Sequence, residues 1–174
     1  MKKNEHGLTF WLYGLSGAGK TTLADLVNED LNLARLDGDI LRKGLSNDLG
    51  YDQKDRSENL RRAAHTAAIL NNNHLNTVAT FMTPTQEHQV IVQDIIKDKL
   101  RLIYIKATVA DCTDRDPKGL YEKQRQGEIK NLSGVDSPFN VNLHNDCVID
   151  TTKHSIQECV ETLKNYILKE IKNV

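Results

Sequence analysis

The sequence predicts a three-layer α/β/α fold, a central, mainly five-stranded parallel sheet with helices on both faces and a lid over one end. Three observations carry this. Strand-like and helix-like segments alternate about five times, the order that builds a parallel sheet through right-handed crossovers. A glycine-rich loop, Gly14 to Thr21, lies between the first strand and the first helix and fits G-x-x-x-x-G-K-S/T. The 174 residues read as one ordinary domain over 1–174, with 39% hydrophobic and 27% charged residues and no compositional break.

The first strand is the apolar and aromatic run Leu8 to Tyr13. In the loop after it, Gly14, Leu15, Ser16, Gly17, Ala18, Gly19, Lys20, Thr21 and Thr22 offer a backbone that phosphate oxygens can approach closely. In such a loop the lysine, Lys20, reaches the β- and γ-phosphates and the Thr21 hydroxyl binds Mg²⁺. That predicts a P-loop NTPase using ATP and Mg²⁺. Leu23, Ala24, Leu26 and Val27 then follow at helical spacing.

Leu33 to Leu36 is a short strand that ends in Asp37-Gly38-Asp39. Open α/β sheets place their chemistry past strand carboxyl ends, so a carboxylate here suits metal binding or proton transfer from an attacking hydroxyl. The same residues also read as a turn at Asp37 and an N-cap at Asp39. A helix begins near Asp55, with Glu58 completing a capping box, and runs to about Asn71. Arg56, Asn59, Arg61 and Arg62 crowd its first turns, a set that suits an anionic substrate or a solvated face.

Asn76 to Met82 is the third strand, and no aspartate ends it, which leaves the metal side to Asp37 and Asp39. A helix with Val90, Val92, Ile95 and Ile96 follows, and His88 reads as a surface residue of it. Leu100 to Ile105 is the fourth strand, and Ala110 to Arg115 a short helix. The basic, glycine-bounded stretch from Asp116 reads as a lid over 116–130 that closes on nucleotide. Cys147 to Asp150 is the last strand and Ile156 to Ile171 a closing amphipathic helix.

A net charge of −1 without a basic stripe argues against nucleic acid as a partner. No stretch is long enough to span a bilayer, and the polar opening Met1 to Gly7 is unlike a signal peptide. Cys112, Cys147 and Cys159 lack metal spacing and read as free thiols, which predicts a cytoplasmic protein.

Several segments beyond the loop are far more specific than the loop itself. Leu36-Asp-Gly-Asp39 with Arg42, Asp48-Leu-Gly-Tyr51, Asp55-Arg56 with Glu58 to Arg62, Arg115-Asp-Pro-Lys-Gly-Leu-Tyr121, Gly127-Glu-Ile-Lys130 and Ser133-Gly-Val-Asp-Ser-Pro-Phe139 together resemble the adenylylsulfate kinases. The resemblance covers nearly the whole chain. It implies transfer of the γ-phosphate of ATP to the ribose 3′-hydroxyl of a small-molecule nucleotide acceptor. It implies a catalytic set of Asp39, Lys20 and Asp37, with Thr21 and Asp39 on the metal. Arg115 and Lys118 join the ATP site. Arg42, Tyr51, Arg56, Asn59, Met82, Thr83, Gln86, Lys118 and Phe139 form the acceptor site. A homodimer is also implied, although no interface is visible in the residues.

One departure stands out. After the third strand the family carries Ile-Ser-Pro-Tyr-Arg and a second arginine three residues later. Here Met82-Thr83-Pro84-Thr85-Gln86 and Gln89 occupy those places. Loss of two cations suits an acceptor whose terminal group is not sulfate. Cytidine diphosphoramidate kinases of bacterial capsule modification resemble the same family, and their less anionic acceptor suits amides that both donate and accept. Both acceptors stay open at this point. A non-catalytic nucleotide-binding module is disfavoured because Thr21, Asp37 and Asp39 are all kept.

Overall fold

In the computed structural model, residues 7–173 are described; the polar opening Met1 to His6 lies outside them. Five strands form one parallel sheet: β1 (Thr9–Tyr13), β2 (Ala34–Asp37), β3 (Thr77–Thr80), β4 (Leu100–Lys106) and β5 (Cys147–Asp150). Their order is β2-β3-β1-β4-β5, which puts the strand before the glycine-rich loop at the centre. Every residue of β1 is buried, as a strand covered on both faces must be.

The side-chain period of two divides that strand between two cores. Phe10 and Leu12 face α1 (Lys20–Leu31) and α7 (Ile156–Lys172), packing with Leu23, Val27, Leu163 and Ile167. Trp11 and Tyr13 face α3 (Gln53–Asn72) and α4 (Gln86–Ile96), packing with Leu60, Ala63, Ala67 and Val92. The small alanines let α3 approach the sheet. Trp11 stacks on Phe81 with ring centroids 4.6 Å apart, and its Nε1 donates to Thr83 Oγ1 at 2.9 Å. The short helices α2 (Gly38–Lys43), α5 (Val109–Arg115) and α6 (Leu120–Arg125) surround the carboxyl ends of the strands.

Element boundaries differ from the sequence expectation in instructive places. Helix α3 starts at Gln53 and is capped by Asp52, whose side chain accepts from Asp55 N at 2.8 Å. Asp55 instead accepts from Gly50 N at 2.6 Å, closing the preceding loop. Strand β3 stops at Thr80, because Phe81 to Thr83 leave the sheet to meet Trp11. His88 is 1% exposed and not on the surface, since α4 turns that face onto α3. Among the described residues no helix is long and apolar enough to cross a membrane, and the three cysteines are free thiols.

Gly14 shows why the loop must begin with glycine: a Cβ there would stand 2.3 Å from the Ile105 carbonyl oxygen on the neighbouring strand. Gly14→Ala should therefore force β1 and β4 apart. Urea unfolding of that variant is expected to show a loss of about 2 kcal/mol or more, the scale of overpacking in a rigid interior.

Candidate active site

A cleft of about 1090 Å³ opens at the carboxyl ends of the strands. The glycine-rich loop forms its floor, α2 and the first turns of α3 one side, and residues 115–133 the other. Helix α1 starts at Lys20 with no capping side chain, so its first amides stay available to an anion. Lys20 folds back and Nζ donates to the carbonyls of Gly14 at 2.9 Å and Leu15 at 2.8 Å. The residue is only partly covered, but its ammonium is withdrawn into the loop. Burial, helped by repulsion from Lys118, brings its pKa down to about 8.

Asp37 is the buried hub of the site. Its carboxylate accepts from Thr80 Oγ1 at 2.6 Å, from Asp39 N at 2.9 Å and from Thr21 Oγ1 at 3.3 Å. Arg35 Nη2 adds an ion pair at 3.3 Å. Burial opposes its charge, yet the hydrogen bonds from Thr80 and Asp39 N, with Arg35, outweigh it and hold the carboxyl below its usual range. The N-cap of α2 is Asp37, not Asp39. Asp39 is thereby freed to project from the first turn of α2 into the cleft, where it meets Lys118 from the opposite side.

Further along, two arginines sit without carboxylate partners. Arg42 Nη1 donates to the Gly50 carbonyl at 2.6 Å, and its guanidinium lies 4.4 Å from the Tyr51 ring centroid. Arg56 donates to the carbonyls of Tyr51 at 2.8 Å and Asn131 at 3.1 Å. Burial, then repulsion by Arg42, lowers the Arg56 pKa. Neither arginine forms an ion pair among the described residues. Arg61 and Arg62 differ: Glu58 holds both, and Asp48 also holds Arg62. Asn59 Oδ1 and Ser133 Oγ line the same region, are buried, and have no hydrogen-bond partner among the described residues.

The model of the adenylylsulphate kinase family matches residues 6–150. The chain belongs to that family. It is 39% identical over 173 residues to the adenylyl-sulfate kinase of Staphylococcus carnosus, covering 95% of this chain and 87% of that one. The Phocaeicola vulgatus adenylyl-sulfate kinase is 40% identical over 171 residues, with 94% and 83% covered. Among solved structures, the Mycobacterium tuberculosis APS kinase CysC in complex with AMPPNP and APS superposes with a TM-score of 0.87. Its identity is 35%, covering 94% of this chain and 99% of that one. This adenylylsulphate kinase family member is an ATP-dependent kinase with a P-loop fold.

Of the residues named from sequence, Ser16 to Thr22, Asp37, Asp39, Arg42, Tyr51, Arg56, Asn59, Met82, Arg115 and Lys118 all line the one cleft. Gly14, Leu15, Thr83, Gln86 and Phe139 do not. Thr83 is buried as the acceptor for Trp11. Gln86 is exposed on the first turn of α4. Phe139 packs on Tyr13 and Tyr104, with centroids 6.3 Å and 6.2 Å away. Gln89 lies outside the lining as well.

The structure also adds lining residues that the sequence reading passed over: Asn131, Ser133, Thr151, His154 and Ile156. Thr151 accepts from Arg115 Nη1 at 3.1 Å and donates to the Ala18 carbonyl at 3.0 Å, tying the last strand to the phosphate loop. Its position just past β5 was the available signal.

The lowered Lys20 pKa has a testable sign. Between about pH 8 and its ordinary 10.5 the unfolded chain holds a proton that the folded lysine has lost. Stability should therefore gain from this group as pH rises through that window, and be lowered by it below pH 8. Lys20→Met should flatten that rise in nucleotide-free thermal unfolding measured from pH 7 to 10.

Proposed function

We propose that this kinase transfers the γ-phosphate of ATP to the ribose 3′-hydroxyl of a nucleoside 5′-phosphate mixed anhydride, with adenosine 5′-phosphosulfate as the acceptor. One observation carries the reading. Lining the same cleft as the phosphate loop is a second polar cluster: the Arg42 and Arg56 guanidiniums, the Tyr51 ring, the Ser133 hydroxyl, and Asn59 Oδ1, which can accept from a hydroxyl or an amine. Two cations without carboxylates suit a dianionic mixed anhydride. Tyr51 is 65% exposed, so one face of its ring is free to stack on a base.

In this reading Lys20 leaves the Gly14 and Leu15 carbonyls for the β- and γ-phosphates, and the α1 amides hold the same oxygens. Thr21 Oγ1 and the Asp39 carboxylate are hard oxygen donors that fit Mg²⁺. Among the described residues no group of three acidic, histidine or cysteine side chains could cage an ion. That suits an ion that keeps waters and binds mainly through phosphates. Bound there, Mg²⁺ supplies neutralisation of charge on the β- and γ-phosphates.

Asp39 orients the attacking hydroxyl and takes its proton. Asp37, engaged on all sides, anchors Thr21 and α2. Arg115 approaches from the end of α5 and Lys118 from the adjoining 116–130 segment, which acts as the lid. Positioning and electrostatics supply most of the acceleration, as a loose phosphoryl-transfer state requires.

The second reading is a cytidine diphosphoramidate acceptor, favoured by Gln86 and Gln89 standing where the resembled kinases carry arginines. An acceptor panel separates the two. Turnover of adenosine phosphosulfate with none of the cytidine compound supports the first, and the reverse outcome supports the second. Asp39→Asn should lower kcat at least 100-fold or so while ATP binding by calorimetry stays within a few-fold, as loss of a proton acceptor predicts. Near-normal turnover would remove Asp39 from that role. Arg56→Lys, which keeps charge but loses the fork, should raise the acceptor KM about tenfold.

A further inference from the structure

Gln89 lies in the first turns of α4 and is 2% exposed. Its Nε2 donates to the Asn140 carbonyl at 2.8 Å. The same stretch is held at two more places. Asn140 N donates to the Pro84 carbonyl at 2.7 Å. Tyr13 Oη accepts from Asn142 N at 3.0 Å and donates to Asn145 Oδ1 at 2.7 Å. Residues 139–145 are thus pinned to the carboxyl ends of β1 and β3.

The chain just before them forms a wall of the cleft at Asn131, Leu132 and Ser133. The two parts are joined by a tight turn in which Gly134 N donates to the Ser137 carbonyl at 2.7 Å. The wall in turn supplies the Asn131 carbonyl to Arg56. The turn of α4 that carries Gln89 also reaches α3: Glu87 Oε2 accepts from Gln53 Nε2 at 3.1 Å, one turn before Arg56. Gln89 therefore sits where the two flanks of the Arg56 site are tied together.

We infer that Gln89 is a positioning residue for the acceptor side of the cleft. It touches no cleft surface and acts through the Asn140 stretch on Ser133 and on the carbonyl that aims Arg56. A neutral amide is suited to this task, because its donor faces a buried neutral carbonyl and brings no charge into the interior. The inference rests on the reading that the acceptor binds beside Arg56, and it holds for either acceptor.

Gln89→Met keeps the side-chain length and deletes the donor. Whichever acceptor turns over, its KM is expected to rise about fivefold, the equivalent of one lost neutral hydrogen bond, with kcat and the KM for ATP unchanged within twofold. Amide hydrogen exchange should quicken from Asn140 to Asn145 while α1 stays protected. Tyr13→Phe releases the same stretch from its other side and should shift the same two readouts in the same direction, which keeps the test alive if the first variant folds poorly. An unchanged acceptor KM in both variants overturns the inference. So does a parallel rise in both Michaelis constants with a fall in kcat, which marks general loosening. If no acceptor is phosphorylated at all, the proposed function has failed, and exchange alone then judges Gln89: no local acceleration at 140–145 overturns its role.

Discussion

The cleft depends on one buried carboxylate. Asp37 joins the Thr21 hydroxyl at the head of α1, the Thr80 hydroxyl at the end of β3, the Arg35 guanidinium on β2 and the first amides of α2. Each of those partners belongs to a different element, so a single side chain sets their mutual register at the carboxyl edge of the sheet. Removing one partner would leave a buried charge less well compensated, a larger cost than losing an exposed pair. Because Asp37 takes the capping role, Asp39 two residues later is free of it and faces the cleft. The division of labour between two neighbouring carboxylates follows from burial: the one inside is spent on structure, and the one outside can do chemistry.

Around that hub the cleft collects cations while the chain as a whole carries a net charge of −1. Lys20, Arg42 and Arg56 are held by backbone carbonyls and not by carboxylates. A carbonyl orients a cation without neutralising it, so the charge stays available to a ligand. The contrast with Arg61 and Arg62, neutralised by Glu58 and Asp48 on the same helix, shows how neighbouring arginines divide between binding and solvation. Burial first, and a neighbouring cation second, lower the pKa values of Lys20 and Arg56.

The order of strands and helices, the phosphate loop and about half of the cleft lining were legible in the residues. Period-two burial along Phe10 to Tyr13 and the helical spacing of Leu60, Ala63, Ala64 and Ala67 are local signals that tertiary packing reinforced. Legibility ended where a role depends on a partner far away in the chain. His88 read as a surface residue of its helix, and Gln89 as standing where the resembled kinases carry a second arginine. Both are buried, because α4 packs its first turn against α3 and the 139–145 stretch. Phe139 read as a ring for the acceptor base, and it packs against Tyr13 and Tyr104.

The sequence by itself determined that this is a parallel α/β kinase with a phosphate loop after its central strand. Those features are written in short-range chemistry: glycines that admit a close backbone, a lysine and a threonine at set spacing, and apolar periods of two and 3.6. Only the tertiary structure decided which carboxylate caps and which faces the cleft. Only it decided which arginines remain unpaired, and that the glutamines in the arginine positions do not line the site. Those outcomes turn on contacts between residues dozens of positions apart, such as Thr80 with Asp37 and Asn140 with Gln89, whose pairing exists only once the sheet has brought their elements together.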